Sequence, residues 1–143
     1  MVKFKGEIGD TVADTKNMSE LVSLDLFEKS KLWFVRAINY FESDIETSII
    51  CFATALELIL KSLIAREHWA LLCLKGDKDV NLEALKNRNM TTVSFNDCLD
   101  LLIRIRPGII SPNEQTAYKD VSSHRNKIIH FTHPDIEKEK VEI

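Results

Sequence analysis

Apolar residues return every three or four positions along most of this chain, the period of an α-helix with one buried face. Phe27, Ser30, Phe34, Ala37, Ile38 and Phe41 recur in this way and predict a first helix over 23–41. Asp25 with Glu28 reads as a capping box just inside its start. Trp33, Arg36 and Tyr40 form a second stripe, suited to packing or to an interface. Ser43-Asp44-Ile45-Glu46 is another capping box and opens a helix over 46–68. There Ile49, Phe52, Leu56, Ile59 and Leu63 are joined by Ile50, Ala53, Leu60 and Ile64, so the helix is apolar nearly all round and belongs at the centre or at an interface. Residues 69–74 read as its extension, stopped by Gly76. Ser94 caps a third helix over 95–105, ended by Pro107-Gly108. Ser111-Pro112-Asn113-Glu114 is the strongest start signal, with a Ser cap, Pro at the first helical position and Glu at the third. It predicts a last helix from Pro112 toward Phe131, because His133 precedes Pro134 and is steered away from helical geometry.

Between these segments the chain is polar. Residues 1–20, with Gly6 and Gly9, read as a loose N-terminal arm. Residues 76–92 read as a loop with a short turn over 81–86, and 135–143 as a charged tail. The helical domain is then 21–134. Four main helices with short connections predict an all-α bundle of four to five helices.

Composition narrows the function classes. The 143 residues are 45% apolar and 29% charged, with 4 Gly and 3 Pro, which fits one globular helical domain. A net charge of −3 excludes binding of nucleic acid by bulk charge, so any RNA contact must be a local patch. Cys51, Cys73 and Cys98 are too widely spaced for a zinc or redox pair; Cys51, inside an apolar run, reads as a buried free thiol, and a reducing cytoplasm fits. The first residues lack the apolar core of a signal peptide. Glu57 and Lys61 interrupt the longest apolar stretch and argue for a core helix over a membrane span. They stand at i,i+4 with Glu first, the favourable order for an ion pair.

Candidate chemistry lies at the end of the last helix, in Ser122-Ser123-His124-Arg125-Asn126-Lys127-Ile128-Ile129-His130. Residues i and i+5 lie ~140° apart around a helix, so Arg125 and His130 do not share a face, whereas Asn126 and His130 do. An imidazole suits proton transfer near neutrality. A guanidinium is a permanent cation whose fork matches phosphate. The plain alternative is that both residues are cations at a helix C-terminus, where they stabilise the last turn. His124, His130 and His133 do not form a convincing metal set, and no phosphate-cradling loop, nucleophile elbow or other cofactor motif is present.

Arg125, the polar Asn126 and His130 closing the final helix of an all-helical chain resemble the HEPN family (higher eukaryotes and prokaryotes nucleotide-binding). The stretch from Leu32-Trp33 through Ala55-Leu56-Glu57-Leu58 to Glu67-His68-Trp69 is similar to the first two helices of a bacterial branch of it. The resemblance implies a two-fold homodimer and a metal-independent endoribonuclease acting at a composite site between subunits, without a cofactor. It implies catalytic roles for Arg125, His130 and Asn126. Beside them Lys127 and His124 are candidate substrate contacts, and Glu57 and Lys61 are either a structural ion pair or a support next to the motif. It also implies RNA as substrate, a setting in toxin or phage-defence biology, and an antitoxin or larger defence complex as partner. Some members are catalytically silent modules that bind a nucleotide, an RNA or a protein. Thr132 stands where one toxin branch carries a tyrosine modified by its antitoxin, so that mode of control is not expected.

Overall fold

A computed structural model describes residues 8–73, 83 and 92–130, with side chains from Lys16 onward. The described residues are all-helical. They form α1 (Ile8–Tyr40), α2 (Ile45–Glu67), a 3₁₀ turn (Trp69–Leu72), α3 (Phe95–Ile105) and α4 (Pro112–His130). The expected turn over 81–86 lies outside the described residues except for Glu83, which is helical, as do Gly76, Phe131, Thr132, His133, Pro134 and the 135–143 tail.

Helices α1 and α2 form an antiparallel hairpin whose seam is made of small residues. Ser23, Ser30 and Ala37 repeat every seven positions on α1, and Ser48, Ala55 and Ser62 do so on α2; all six are buried. The Ser23 hydroxyl donates to the Ser62 carbonyl and the Ser62 hydroxyl to the Ser23 carbonyl, each at 2.8 Å. Ser48 donates to the Ala37 carbonyl at 2.6 Å. This register sets Ser30 opposite Ala55. Small side chains let the backbones approach, and each buried hydroxyl is satisfied by a carbonyl, which removes the cost of burying it.

The seam explains two departures from the sequence reading. First, the chain is helical from Ile8, so residues 8–20 are not a loose arm. Among 16–20, whose side chains are described, the buried residue is Ser19 rather than an apolar one, and a search for apolar periodicity passes over it. Ser19, 3% exposed, accepts a hydrogen bond from the Trp69 amide at 3.1 Å. Second, Phe27, Phe34 and Ile38 were expected inward but are 44%, 44% and 60% exposed, while Ser30 and Ala37 face the core. Asp25 and Glu28 lie inside the helix and pair with Lys29 and Lys31 instead of capping a start.

The remaining boundaries follow their caps. Asp44 accepts from the Thr47 amide at 3.1 Å and starts α2. Ser94 and Ser111 accept from the Asp97 and Glu114 amides, each at 3.2 Å, and start α3 and α4. Helix α2 stops at Glu67 and does not continue to 74: His68 is extended, and its Nδ1 accepts from the Ala70 amide to open the 3₁₀ turn. Gly108, in the left-handed region at φ 85°, turns the chain between α3 and α4. The main core gathers Leu60, Ile64, Leu72, Phe95, Cys98, Leu99 and Leu102 between α2 and α3. Helix α2 is long and apolar enough to cross a membrane by length and composition. Within this fold it is the central helix, packed by α1, α3 and α4.

Candidate functional site

Helix α4 is polar and only its Ser122 is fully buried, so its position depends on specific anchors. Arg125 is the principal one. Its Nη1 donates to Glu57 Oε2 of α2 at 2.9 Å, and its guanidinium lies 5.8 Å from the centre of the Phe95 ring. Glu57 also pairs with Lys61 at 2.9 Å, one turn along α2, and Lys61 donates to the Thr92 hydroxyl at 2.8 Å. The side chains of Lys61, Arg125 and Glu57 are only 12%, 18% and 21% exposed. Burial pushes the Glu57 carboxyl up, but the hydrogen bonds and charges of Lys61 and Arg125 outweigh it and hold the group below the usual glutamate value. One carboxylate between two cations leaves the cluster with a formal charge of +1.

His130 lies elsewhere. It shares an open hollow of about 380 Å³ with Asn126, Lys127, Lys119, Ser122, Ser123 and Asn96. Arg125 does not line this hollow. Within one subunit the structure therefore brings Asn126, Lys127 and His130 together and directs Arg125 to α2, as the ~140° offset requires. His124, expected beside the substrate, is on the opposite flank of α4. There it lines an apolar groove with Phe34, Ile38, Phe41, Ile49 and Phe52. Glu57 and Lys61 are joined to Arg125, the former directly and the latter through it.

Sequence reading missed Lys119, Ser123 and Asn96 as neighbours of His130. Lys119, Ser123, Asn126, Lys127 and His130 follow helical spacing, so all but Asn96 could have been found by extending the motif two turns upstream. Thr92 and Asn96 arrive from other segments, and no spacing rule exposes them.

Chemically, the hollow offers an imidazole, two amides, two hydroxyls and two ammonium groups on an accessible surface. It can attract an anion, orient it and exchange protons with it. Among the described residues, no group of three or more His, Cys, Asp or Glu could hold a metal ion. No family model, curated protein or solved structure matches this chain.

Proposed function

We propose that this chain is a metal-independent endoribonuclease of HEPN type, acting as a homodimer, with His130 as the proton-transfer residue. The observation that carries the reading is the shared hollow of His130, Asn126, Lys127 and Lys119 at the end of α4. The 2′-hydroxyl of RNA attacks the adjacent phosphorus, a 2′-O–P bond forms and the P–O5′ bond breaks. The products are a cyclic phosphate and a 5′-hydroxyl. The attacking hydroxyl loses a proton and the leaving oxygen gains one, which an imidazole can mediate. Asn126, one turn before His130, orients the ring or the substrate. Lys127 and Lys119 stabilise charge on the phosphate. DNA lacks the attacking hydroxyl and is not a substrate. A role in toxin or phage-defence biology, with an antitoxin or defence complex as partner, belongs to the same reading.

The position of Arg125 favours examining a second arrangement. It turns away from its own His130, so it reaches a phosphate at a His130 only where a second copy presents one, as in the composite site that the resemblance implies. Held by Glu57 instead, it acts as a positioning residue for α4, and a silent nucleotide-, RNA- or protein-binding module would need nothing more from it.

The test is cleavage of a mixed RNA pool in EDTA by wild type, His130→Ala, Arg125→Ala and an equal mixture of the two variants. The nuclease reading expects wild-type cleavage and a loss of about 10²–10⁴ in rate for His130→Ala. Recovery of activity in the mixture identifies the composite site; its absence places the chemistry within one subunit. No cleavage by folded wild type leaves the silent binding module.

A further inference from the structure

The hollow beside His130 has two ends. Asn126, Lys127 and His130 form the outer one, where the cleavage chemistry is proposed. The inner end is built by Lys119, Ser122 and Ser123 of α4 and by Asn96, the second residue of α3. From Lys119 to His130 the helix rises about 16 Å, so the hollow is long enough for more than one phosphate of a nucleic-acid strand.

Ser122 marks the inner end as incomplete. The residue is 3% exposed, and its hydroxyl has no hydrogen-bond partner among the described residues. Every side-chain oxygen or nitrogen there that is fully shut off from solvent does have a partner, so the Ser122 oxygen is the part that opens on the hollow. A hydroxyl this enclosed gains most from a partner held in place, and the hollow is where one would enter. The charges around it are also uncompensated. Lys29, Lys31 and Lys61 are each tied to a carboxylate, whereas Lys119 and Lys127 form no ion pair among the described residues. No carboxylate is among the described residues that line the hollow. Two bare ammonium groups stand together here in a chain of net charge −3. Helix α3 adds its start. Ser94 Oγ accepts from the Asp97 amide at 3.2 Å and the Ser94 carbonyl from the Cys98 amide at 2.9 Å. The amides of Phe95 and Asn96 are thereby left outside the helical ladder, with the partial positive charge of a helix N-terminus. Asp97, the acidic residue of that turn, does not line the hollow.

We infer that the inner end is a phosphate site, and that in RNA it holds a phosphate next to the one being cleaved. The groups gathered there are donors: the Ser122 hydroxyl, the Asn96 amide and the Lys119 ammonium. They come from two elements and surround an anion better than they serve one another, and a phosphate offers several oxygens to them at once. A strand laid along α4 then brings one phosphate to His130 and its neighbour to Ser122. Lys119 touches the neighbour and acts on the scissile phosphate through its field alone. Binding energy spent on a group that does not react positions the one that does, so it appears in the rate of cleavage. The RNA half of the inference rests on the nuclease reading; the phosphate site does not.

The experiment has two arms, both on the full chain. In the first, inorganic phosphate is titrated while proton–nitrogen correlation NMR follows the amides of Asn96 and Ser122. The variants are Ser122→Ala, Lys119→Gln and, as a control for lost charge elsewhere, Lys29→Gln. Saturable shifts at both amides are expected, with affinity about tenfold weaker in Ser122→Ala and about threefold weaker in Lys119→Gln, and unchanged in Lys29→Gln. Lys119 is exposed, so Lys119→Gln keeps the test open if Ser122→Ala fails to fold. An absence of saturable shifts, or equal weakening in Lys29→Gln, overturns the site. In the second arm, wild type and Ser122→Ala cleave a dinucleotide with one phosphate and a trinucleotide with two. The trinucleotide is expected to react about tenfold faster in wild type, and the advantage to shrink toward one in Ser122→Ala. Equal rates in wild type overturn the assignment to an RNA phosphate. Saturable phosphate binding with no cleavage of either substrate supports the site, with a free phosphate compound as its ligand, and sinks the nuclease reading instead.

Discussion

Replacing Glu57 by glutamine removes the one negative charge from between two cations while keeping the shape of the side chain. At an effective dielectric constant of ~20, each contact at 2.9 Å carries a gross attraction of about 6 kcal/mol, most of it offset by the cost of taking the charges out of water. Deleting one partner of a buried pair costs about 3–5 kcal/mol, because the other charge is left behind. Here the three side chains are between 12% and 21% exposed, so water reaches the cations and the loss falls near or below that range, at about 2–3 kcal/mol. For a domain of this size, that lowers the melting temperature by roughly 6–12 °C.

The pH dependence supplies a second, sharper test. The Glu57 carboxyl is held below its ordinary value in the folded chain, so the folded form releases its proton more readily than the unfolded form does. Its contribution is complete above the unfolded pKa and disappears as pH falls through the folded one. Urea denaturation followed by circular dichroism should give a wild-type advantage over Glu57→Gln that is constant from about pH 8 to 6 and shrinks below about pH 4. A difference under about 0.5 kcal/mol at neutral pH, or one that persists undiminished at pH ~3, would refute the view that this charge cluster fastens α4 to α2.

Ser30→Leu inserts a branched side chain at a position 1% exposed on the hairpin seam, and should cost about 3 kcal/mol or more by thermal melting while helicity stays near native. Ser111→Ala removes the oxygen that accepts from the Glu114 amide and should cost about 1 kcal/mol, read as a parallel shift of the urea curve without change in slope. Burial pushes the Cys98 thiol up to about 12, so iodoacetamide at mildly alkaline pH should leave it unmodified in the folded chain and label it in urea, as peptide mass spectrometry would show. Equal labelling in both states would mean that the core around α3 opens readily.

The parts of the fold that were legible in the sequence are those in which local chemistry and apolar period agree. Ser94 and Ser111 cap the helices they were expected to cap, and α2, α3 and α4 lie close to their predicted spans. Helix α1 was half legible, because its buried stripe is Ser19, Ser23, Ser30 and Ala37. Serine favours caps and turns in isolation, and becomes a helix-packing residue only when a partner backbone comes close enough to accept its proton. That partner is 39 residues away for Ser23. Glu57 was named beside the motif, but its direct bond to Arg125 was not legible: it is 68 residues upstream, and no periodicity connects them. The divergence of Arg125 from His130 was legible, since it follows from helix geometry alone. The neighbours of His130 that other segments supply were not.

Helix α4 thus has three working directions. One holds Arg125 against Glu57, one places Val121 and His124 at the edge of the apolar groove, and one presents His130, Asn126, Lys127 and Lys119 to solvent. Burial holds this helix only in part, through Tyr118 against the core, so the ion pair adds what the hydrophobic effect supplies weakly here. Under the nuclease proposal, Arg125→Ala can therefore lose cleavage without Arg125 ever touching RNA. Loss of cleavage in Arg125→Ala is therefore no evidence for a phosphate contact unless α4 keeps its place. Removing Arg125 and Glu57 together separates the two roles. If Arg125 acts only through α4, an apolar pair such as Glu57→Leu with Arg125→Met, which leaves no buried carboxylate unpaired, restores both the melting temperature and the cleavage rate. If Arg125 grips phosphate in another subunit, the same double variant regains stability and stays inactive.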